Sequence, residues 1–205
     1  MNERGILFIV SGFAGTGKST ITRGLIQKYD CYELSISATT RPARGNEQHG
    51  REYFFLSREE FEALIEAEGF LEHALYLDNY YGTPKEWVDR KLSEGKDVIL
   101  EIEMQGALQI KKNIPSCLLI FLLPPSIEEL ERRITSRGTE TPEQIANRLN
   151  RAKEEVDFMQ YYDYLVINED VEKTIDMVHN IVQSEKNRVE RNLDFIEQYI
   201  TDFLK

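Results

Sequence analysis

Gly12, Phe13, Ala14, Gly15, Thr16, Gly17, Lys18 and Ser19 stand in the order G-x-x-x-x-G-K-S. In that spacing the glycines let successive backbone N–H groups turn toward one point. A lysine amine then sits within reach of a terminal phosphate, and the hydroxyl that follows suits Mg²⁺. The chemistry this predicts is capture of a nucleoside triphosphate, with Lys18 on the β and γ phosphates and Ser19 on the metal. Such a loop needs a buried strand before it and a helix after it, whose N-terminal dipole favours negative charge. Ile6 to Val10 reads as that strand and Ser19 to Tyr29 as that helix. A glycine-rich connection without a ligand is the alternative, and the intact Lys18-Ser19 pair in this context weighs against it.

A second group of residues suits another anion. Arg41 and Arg44 are three apart in Ser37 to Glu47, a stretch too interrupted by proline and glycine to be helical. Guanidinium forks match phosphate oxygens in geometry and charge. Tyr53 and Tyr81 add hydroxyls within the same region. Taken alone, the stretch reads equally as a solvated loop. Beside a triphosphate site, it reads as the place where a phosphate-bearing acceptor would bind.

These residues need a scaffold. Val98 to Ile102, Leu118 to Leu123 and Tyr164 to Ile167 repeat the apolar pattern of the first strand. Helical stretches run over Pro84 to Glu94, Gln105 to Lys112, Ser126 to Ser136, Pro142 to Asp157 and from near Val171. The alternation predicts an α/β fold with a parallel sheet covered on both faces. Ser37 to Thr83 breaks the rhythm, with a short strand around Tyr53 to Phe55, a helix from Arg58 to Ala67 and strand-like runs at Phe70 to Leu77 and Tyr80-Tyr81. It is expected to form an inserted lobe. Gly138 to Thr141, flanked by arginines, reads as a mobile basic loop.

The 205 residues suffice for one such domain and a core that needs no disulfides. Asp and Glu number 36 against 25 Lys and Arg, a net charge of −11, so the molecule repels nucleic acid and any positive charge for an anionic ligand must be local. Cys31 and Cys117 lack metal or redox spacing and fit a reducing compartment. His49, His73 and His179 show no ligand spacing. Neither a signal peptide nor a membrane span is visible, and a cytoplasmic protein is expected.

The chain resembles guanylate kinase. The resemblance rests on the phosphate loop, Thr39-Thr40-Arg41-Pro42-Ala43-Arg44, Glu47 with Gly50 and Tyr53, Tyr80-Tyr81-Gly82-Thr83, Glu101-Ile102-Glu103-Met104-Gln105-Gly106, Arg137-Gly138-Thr139-Glu140 and Asn147-Arg148-Leu149. It implies a three-layer P-loop core with a parallel sheet (1–36 and 84–205), a GMP-binding lobe (37–83) and a mobile lid at about 132–153. The implied reaction is ATP plus GMP to ADP plus GDP with Mg²⁺. The implied phosphate ligands in GMP are Ser37, Arg41, Arg44, Tyr53 and Tyr81, with Glu72 and Thr83 reading guanine. Glu47, Gly82, Glu101, Glu103 and Gly106 complete that site. Thr20, Arg133, Arg137 and Asn168 join the phosphate loop at ATP. Lys18, Arg41, Arg133, Arg137 and Arg148 are the residues implied in catalysis, and Glu103 is a further metal contact through water beside Ser19. The chain departs from the family pattern in Phe13-Ala14, where Pro-Ser is common, and in Glu103, where aspartate is usual.

Elementary chemistry agrees with that assignment. A phosphate monoester is already largely dianionic near neutrality, so transfer needs alignment and charge stabilisation more than a strong base. A carboxylate only accepts hydrogen bonds; guanine offers donors at N1 and N2, whereas adenine presents a bare N1. Arg133 and Arg137 are four apart on one predicted helix face, with Arg148 on the next helix; Arg132 and Arg151 read equally as exposed charges. Two rivals stand: a kinase-like domain that binds proteins, which should lack an intact phosphate loop, and a kinase for another acceptor, which should lack the Glu72 and Thr83 pair. Beyond the resemblance, Val189, Leu193, Ile196, Ile200 and Phe203 or Leu204 recur at helical spacing, predicting a C-terminal amphipathic extension (189–205) made of one helix from Arg188 to Leu204. Its stripe would pack on its own core or pair with a second copy, making the protein a monomer or a homodimer.

Overall fold

The computed structural model describes residues 4–136 and 142–205. Its core is a five-stranded parallel sheet built from β1 (Leu7–Gly12), β2 (Tyr32–Leu34), β7 (Asp97–Leu100), β8 (Leu118–Leu123) and β9 (Tyr164–Ile167), ordered β2-β7-β1-β8-β9. Three of the four apolar runs seen in the sequence are the inner strands, with Phe8, Ile9 and Val10 and also Leu119 to Leu122 fully buried, while the fourth, β9, lies at the edge and leaves Leu165 and Ile167 exposed. Alternate residues face opposite layers. Phe8 and Val10 pack with Ile21, Leu25, Ile175, Val178 and Val182 of α1 (Lys18–Lys28) and α7 (Val171–Lys186). Leu7 and Ile9 pack with Val88, Leu92, Ala107 and Ile110 of α3 (Lys85–Ser93) and α4 (Met104–Asn113). Helices on both faces give the three layers that a buried parallel sheet requires.

A second, four-stranded sheet is ordered β4-β3-β6-β5, from β3 (Ala38–Thr39), β4 (Phe54–Phe55), β5 (Phe70–Tyr76) and β6 (Asn79–Pro84). Here β3 runs parallel to β4, while β6 is antiparallel to both β3 and β5. The helix α2 (Arg58–Glu66) opens with a capping box between Ser57 and Glu60 and buries Phe61 against the rings of Phe70 and Tyr80. The remaining helices are α5 (Ile127–Thr135) and α6 (Pro142–Glu155), followed by a 3₁₀ segment, Val156–Tyr161.

The sequence reading missed β2 and β3, of three and two residues, because runs that short carry no usable periodicity. It also misjudged the tail. Instead of one helix from Arg188 to Leu204, a 3₁₀ turn (Val189–Arg191) precedes α8 (Leu193–Phe203). The break has a cause: the Asn192 amide donates to the Lys186 and Arg188 carbonyls, terminating α7 and turning the chain. No residue of α8 is buried, so the apolar stripe does not pack back on its own core. Among the described residues no helix is long and apolar enough to cross a membrane.

Candidate active site

The phosphate loop leaves β1 at Gly12 and enters α1 at Lys18. Gly17 adopts φ +92°, and a Cβ there would lie 2.6 Å from the Asn168 side-chain nitrogen, so only glycine fits. Asn168 in turn donates to the Thr16 carbonyl at 2.8 Å and is fixed through its own N–H to Leu123. The loop is thus tied to the strand β8 and to the residue that follows β9. Thr16 closes it internally through the Phe13 carbonyl, at 2.9 Å. Phe13 itself is buried edge-on against Phe121. It serves the core, and only its backbone lies in the loop.

Lys18 donates to the carbonyls of Gly12, at 2.6 Å, and Phe13, at 3.2 Å, so its amine lies over the mouth of the loop. A cavity of about 240 Å³ is lined by Ala14, Gly15, Gly17, Lys18, Ser19, Thr20 and Arg148. α6 therefore brings Arg148 to the loop across a long stretch of sequence. Arg133 donates to Glu129 and to the Asn168 carbonyl at 2.9 Å, which places it behind the same loop. Paired charge-assisted bonds from Arg132 and Arg133 hold the Glu129 carboxyl down to about 2. Arg137 lies outside the described residues.

Ser19 donates to Glu101, which also accepts from Thr22 at 3.1 Å. Glu103 is turned away: its side chain is 76% exposed and pairs with Arg151 at 2.7 Å. The carboxylate beside the metal-suited hydroxyl is therefore Glu101, two residues before the one singled out for metal: Glu101 directly follows β7, whereas Glu103 is already the N-cap of α4, where the chain has turned out of the strand direction. Arg151, left open by the sequence, joins the start of α4 to α6. A hydroxyl and carboxylate oxygens are the hard donors Mg²⁺ takes, so Ser19 and Glu101 fit that ion.

Glu101 borders a second cavity of about 240 Å³, together with Ser35, Ser37, Tyr53, Thr83 and Ile102 among others. Nearby, Arg41 is only 7% exposed, and its guanidinium lies over the rings of Tyr53, at 5.3 Å, and Phe55, at 5.9 Å. The Tyr53 and Tyr81 rings meet edge-on at 6.2 Å. Arg41 pairs with Glu47 through both terminal nitrogens, at 2.9 and 3.0 Å, and Arg44 extends into solvent from the same turn. Glu72 is 9% exposed and accepts from the Thr83 hydroxyl at 2.7 Å. Burial pushes its carboxyl above the ordinary range, with the Thr83 bonds opposing. Gly82 holds Thr83 in register between β3 and β5. A Cβ on Gly106 would come 3.2 Å from the Glu72 carboxylate, so α4 can approach that carboxylate only through a glycine.

Ser35 and Thr22 escaped the sequence reading. The alternation Ser35-Ile36-Ser37 was the available signal, since both serines fall on one side of an extended chain. The Ser35 hydroxyl is buried and, among the described residues, has no hydrogen-bond partner.

A catalogue of protein families supports what the geometry suggests. The family model described as Guanylate kinase matches residues 4–185. A guanylate kinase of Caldanaerobacter subterraneus subsp. tengcongensis is 49% identical over 95% of this chain and 94% of that protein. One from Streptococcus thermophilus is 46% identical over 98% of this chain and 97% of that protein. Among solved structures, guanylate kinase from Anaplasma phagocytophilum superposes with a TM-score of 0.72 at 32% identity, covering 93% of this chain and 91% of that one. With Glu101 bonded to Ser19 and Thr22 beside the glycine-rich loop and lining the second cavity, and with a family model and relatives matching along nearly the whole chain, this protein belongs to the guanylate kinase family.

Proposed function

We propose that this chain is a guanylate kinase that moves the γ-phosphoryl group of ATP onto GMP, giving ADP and GDP. The observation that carries this reading is Glu101, which touches Ser19 and Thr22 of the phosphate loop helix and also lines the cavity bounded by Ser37, Tyr53 and Thr83. Donor and acceptor sites are adjacent through one side chain, as in-line transfer requires.

In this reading the loop backbone from Gly12 to Ser19, with Thr20, cradles the ATP phosphates, and Lys18 supplies a mobile point charge. Ser19 and Glu101 would hold Mg²⁺, which when bound offsets charge on the β and γ oxygens. Arg133, Arg137 and Arg148 add positive charge from the lid side, while Asn168 keeps the loop in shape. On the acceptor side Arg41, Arg44, Tyr53 and Tyr81 take the GMP phosphate. Glu72 accepts from guanine N1 and N2 with the Thr83 hydroxyl beside it, and Ser37 joins the residues on the phosphate. Adenine would leave the Glu72 carboxylate facing a bare nitrogen, which a buried site penalises strongly. Glu103 reaches the acceptor only by releasing Arg151.

The cytoplasm as its compartment is supported by two unpaired cysteines, of which Cys117 is buried with its thiol pushed up to about 12 and is therefore inert. The test of function is a steady-state panel of GMP, dGMP, AMP, CMP and UMP with ATP and Mg²⁺. Turnover of GMP, with dGMP weaker and the others at background, is expected; equal turnover of AMP would overturn the role of Glu72.

A further inference from the structure

Glu47 was grouped above with residues that touch the acceptor, yet its carboxylate is already committed. One oxygen accepts from Arg41 Nη2 at 3.0 Å; the other accepts from Arg41 Nη1 at 2.9 Å and from the Arg44 backbone N–H at 2.8 Å. The Glu47 N–H returns a bond to the Arg44 carbonyl at 3.0 Å, closing the turn through Gly45, which adopts φ +53°. These bonds, Arg41 first and then the Arg44 N–H, hold the Glu47 carboxyl below the usual carboxylate range. It remains ionised through neutrality.

The consequence lies in what is left of Arg41. Its Nη1 is used up by Glu47 and by the Pro42 carbonyl, at 2.8 Å. Its outer face is stacked on Tyr53 and Phe55. The donors left after these bonds are Nε–H and the second Nη2–H, which form one planar edge of the guanidinium, and Arg41 also hydrogen-bonds the Tyr81 side chain, itself among the residues proposed for the phosphate. We propose that Glu47 is a positioning residue for the acceptor phosphate. By gripping the Nη1–Nη2 edge of Arg41 and the turn at Arg44, it presents the Nε–Nη2 edge of Arg41 as the fork that the phosphate meets. Glu47 touches no phosphate itself, and like charge would make that contact unfavourable. This rests on the reading of the second cavity as the acceptor site.

The sign of the effect separates positioning from simple charge. Removing a negative charge beside a phosphate site should tighten phosphate binding if Glu47 only damps the field; loss of orientation weakens it. Calorimetric titration of GMP and of guanosine into the wild type, Glu47→Gln and Glu47→Asp decides this. Glu47→Gln should weaken GMP roughly tenfold to a hundredfold, the range for a charge-assisted hydrogen bond, and leave guanosine unchanged. Glu47→Asp, which keeps the charge one methylene short, should fall between. The KM for GMP should rise while that for ATP holds. Unchanged or tighter GMP binding by Glu47→Gln would overturn the proposal, as would equal losses for GMP and guanosine. If the wild type prefers another monophosphate, the substrate reading fails, and the same titration with that nucleotide and its nucleoside still decides the role of Glu47.

Discussion

The two anion sites are made of different material. The proposed phosphate loop is one contiguous segment that would present mostly backbone N–H groups, pinned by Thr16 and Asn168 and rooted in β1, buried from Leu7 to Ser11. The proposed acceptor site is made of side chains from β5, β6, Tyr53 just before β4 and the turn between Arg41 and Glu47, held by an ion pair, ring stacking and the buried Glu72–Thr83 bond. A backbone cradle of that kind reads phosphate oxygens and not a base, because every residue except proline presents the same N–H. A side-chain cage discriminates, and its cost is a buried carboxylate that the fold alone would rather keep neutral. Generality and specificity are thus divided between the core and the lobe.

Substitutions can break that division. The largest effect is expected from Lys18→Ala, which removes the mobile charge of the donor site: turnover should fall by roughly 10²–10³ while calorimetry shows GMP binding intact. A loss of GMP affinity with unchanged turnover would put Lys18 on the wrong side of the comparison. Arg41→Ala strikes the acceptor cage, and kcat/KM for GMP should drop about 10- to 100-fold through both constants, as expected for a charge-assisted bond kept during transfer. Unaltered GMP binding would remove Arg41 from the cage.

Glu72→Gln sharpens the contrast between binding and stability. The KM for GMP should rise about tenfold or more, yet the melting temperature should hold or increase, since a buried charge has been removed. The pH dependence follows from the raised carboxyl of Glu72. Over the window between the unfolded and folded values the native chain holds a proton that the unfolded chain has lost, so this contribution to stability is complete at lower pH and is lost as pH rises through the folded value. GMP needs the ionised carboxylate, so its KM should climb as pH falls into that window while the KM for ATP stays flat. A profile identical in wild type and Glu72→Gln would show that another group titrates there. The smallest effect is expected from deleting 193–205, which bury nothing: stability should move within about 0.5 kcal/mol and GMP turnover should be unchanged.

The donor loop could be read directly from the chain because its ligands are adjacent and its glycines are dictated by local geometry. The parallel core was legible for the same kind of reason: strands buried on both faces are near-continuous apolar runs, as β8 is throughout and β1 is from Leu7 to Val10. The residues proposed for the acceptor were visible as types and, through resemblance, as positions in the chain. Their arrangement was not, since Glu72, Thr83 and Gly106 converge from β5, β6 and α4, and no local rule links them. Likewise Glu101 and Glu103 are indistinguishable as residues; the direction of the chain after β7 sends one to Ser19 and the other to Arg151. The carboxamide of Asn192 ended a helix that apolar periodicity alone would have continued, through bonds to carbonyls of α7 and the turn after it. Local backbone geometry and hydrophobic period are short-range properties that the sequence itself determines. Which side chains face one another across elements depends on sheet order and chain direction, and only the tertiary structure decides that.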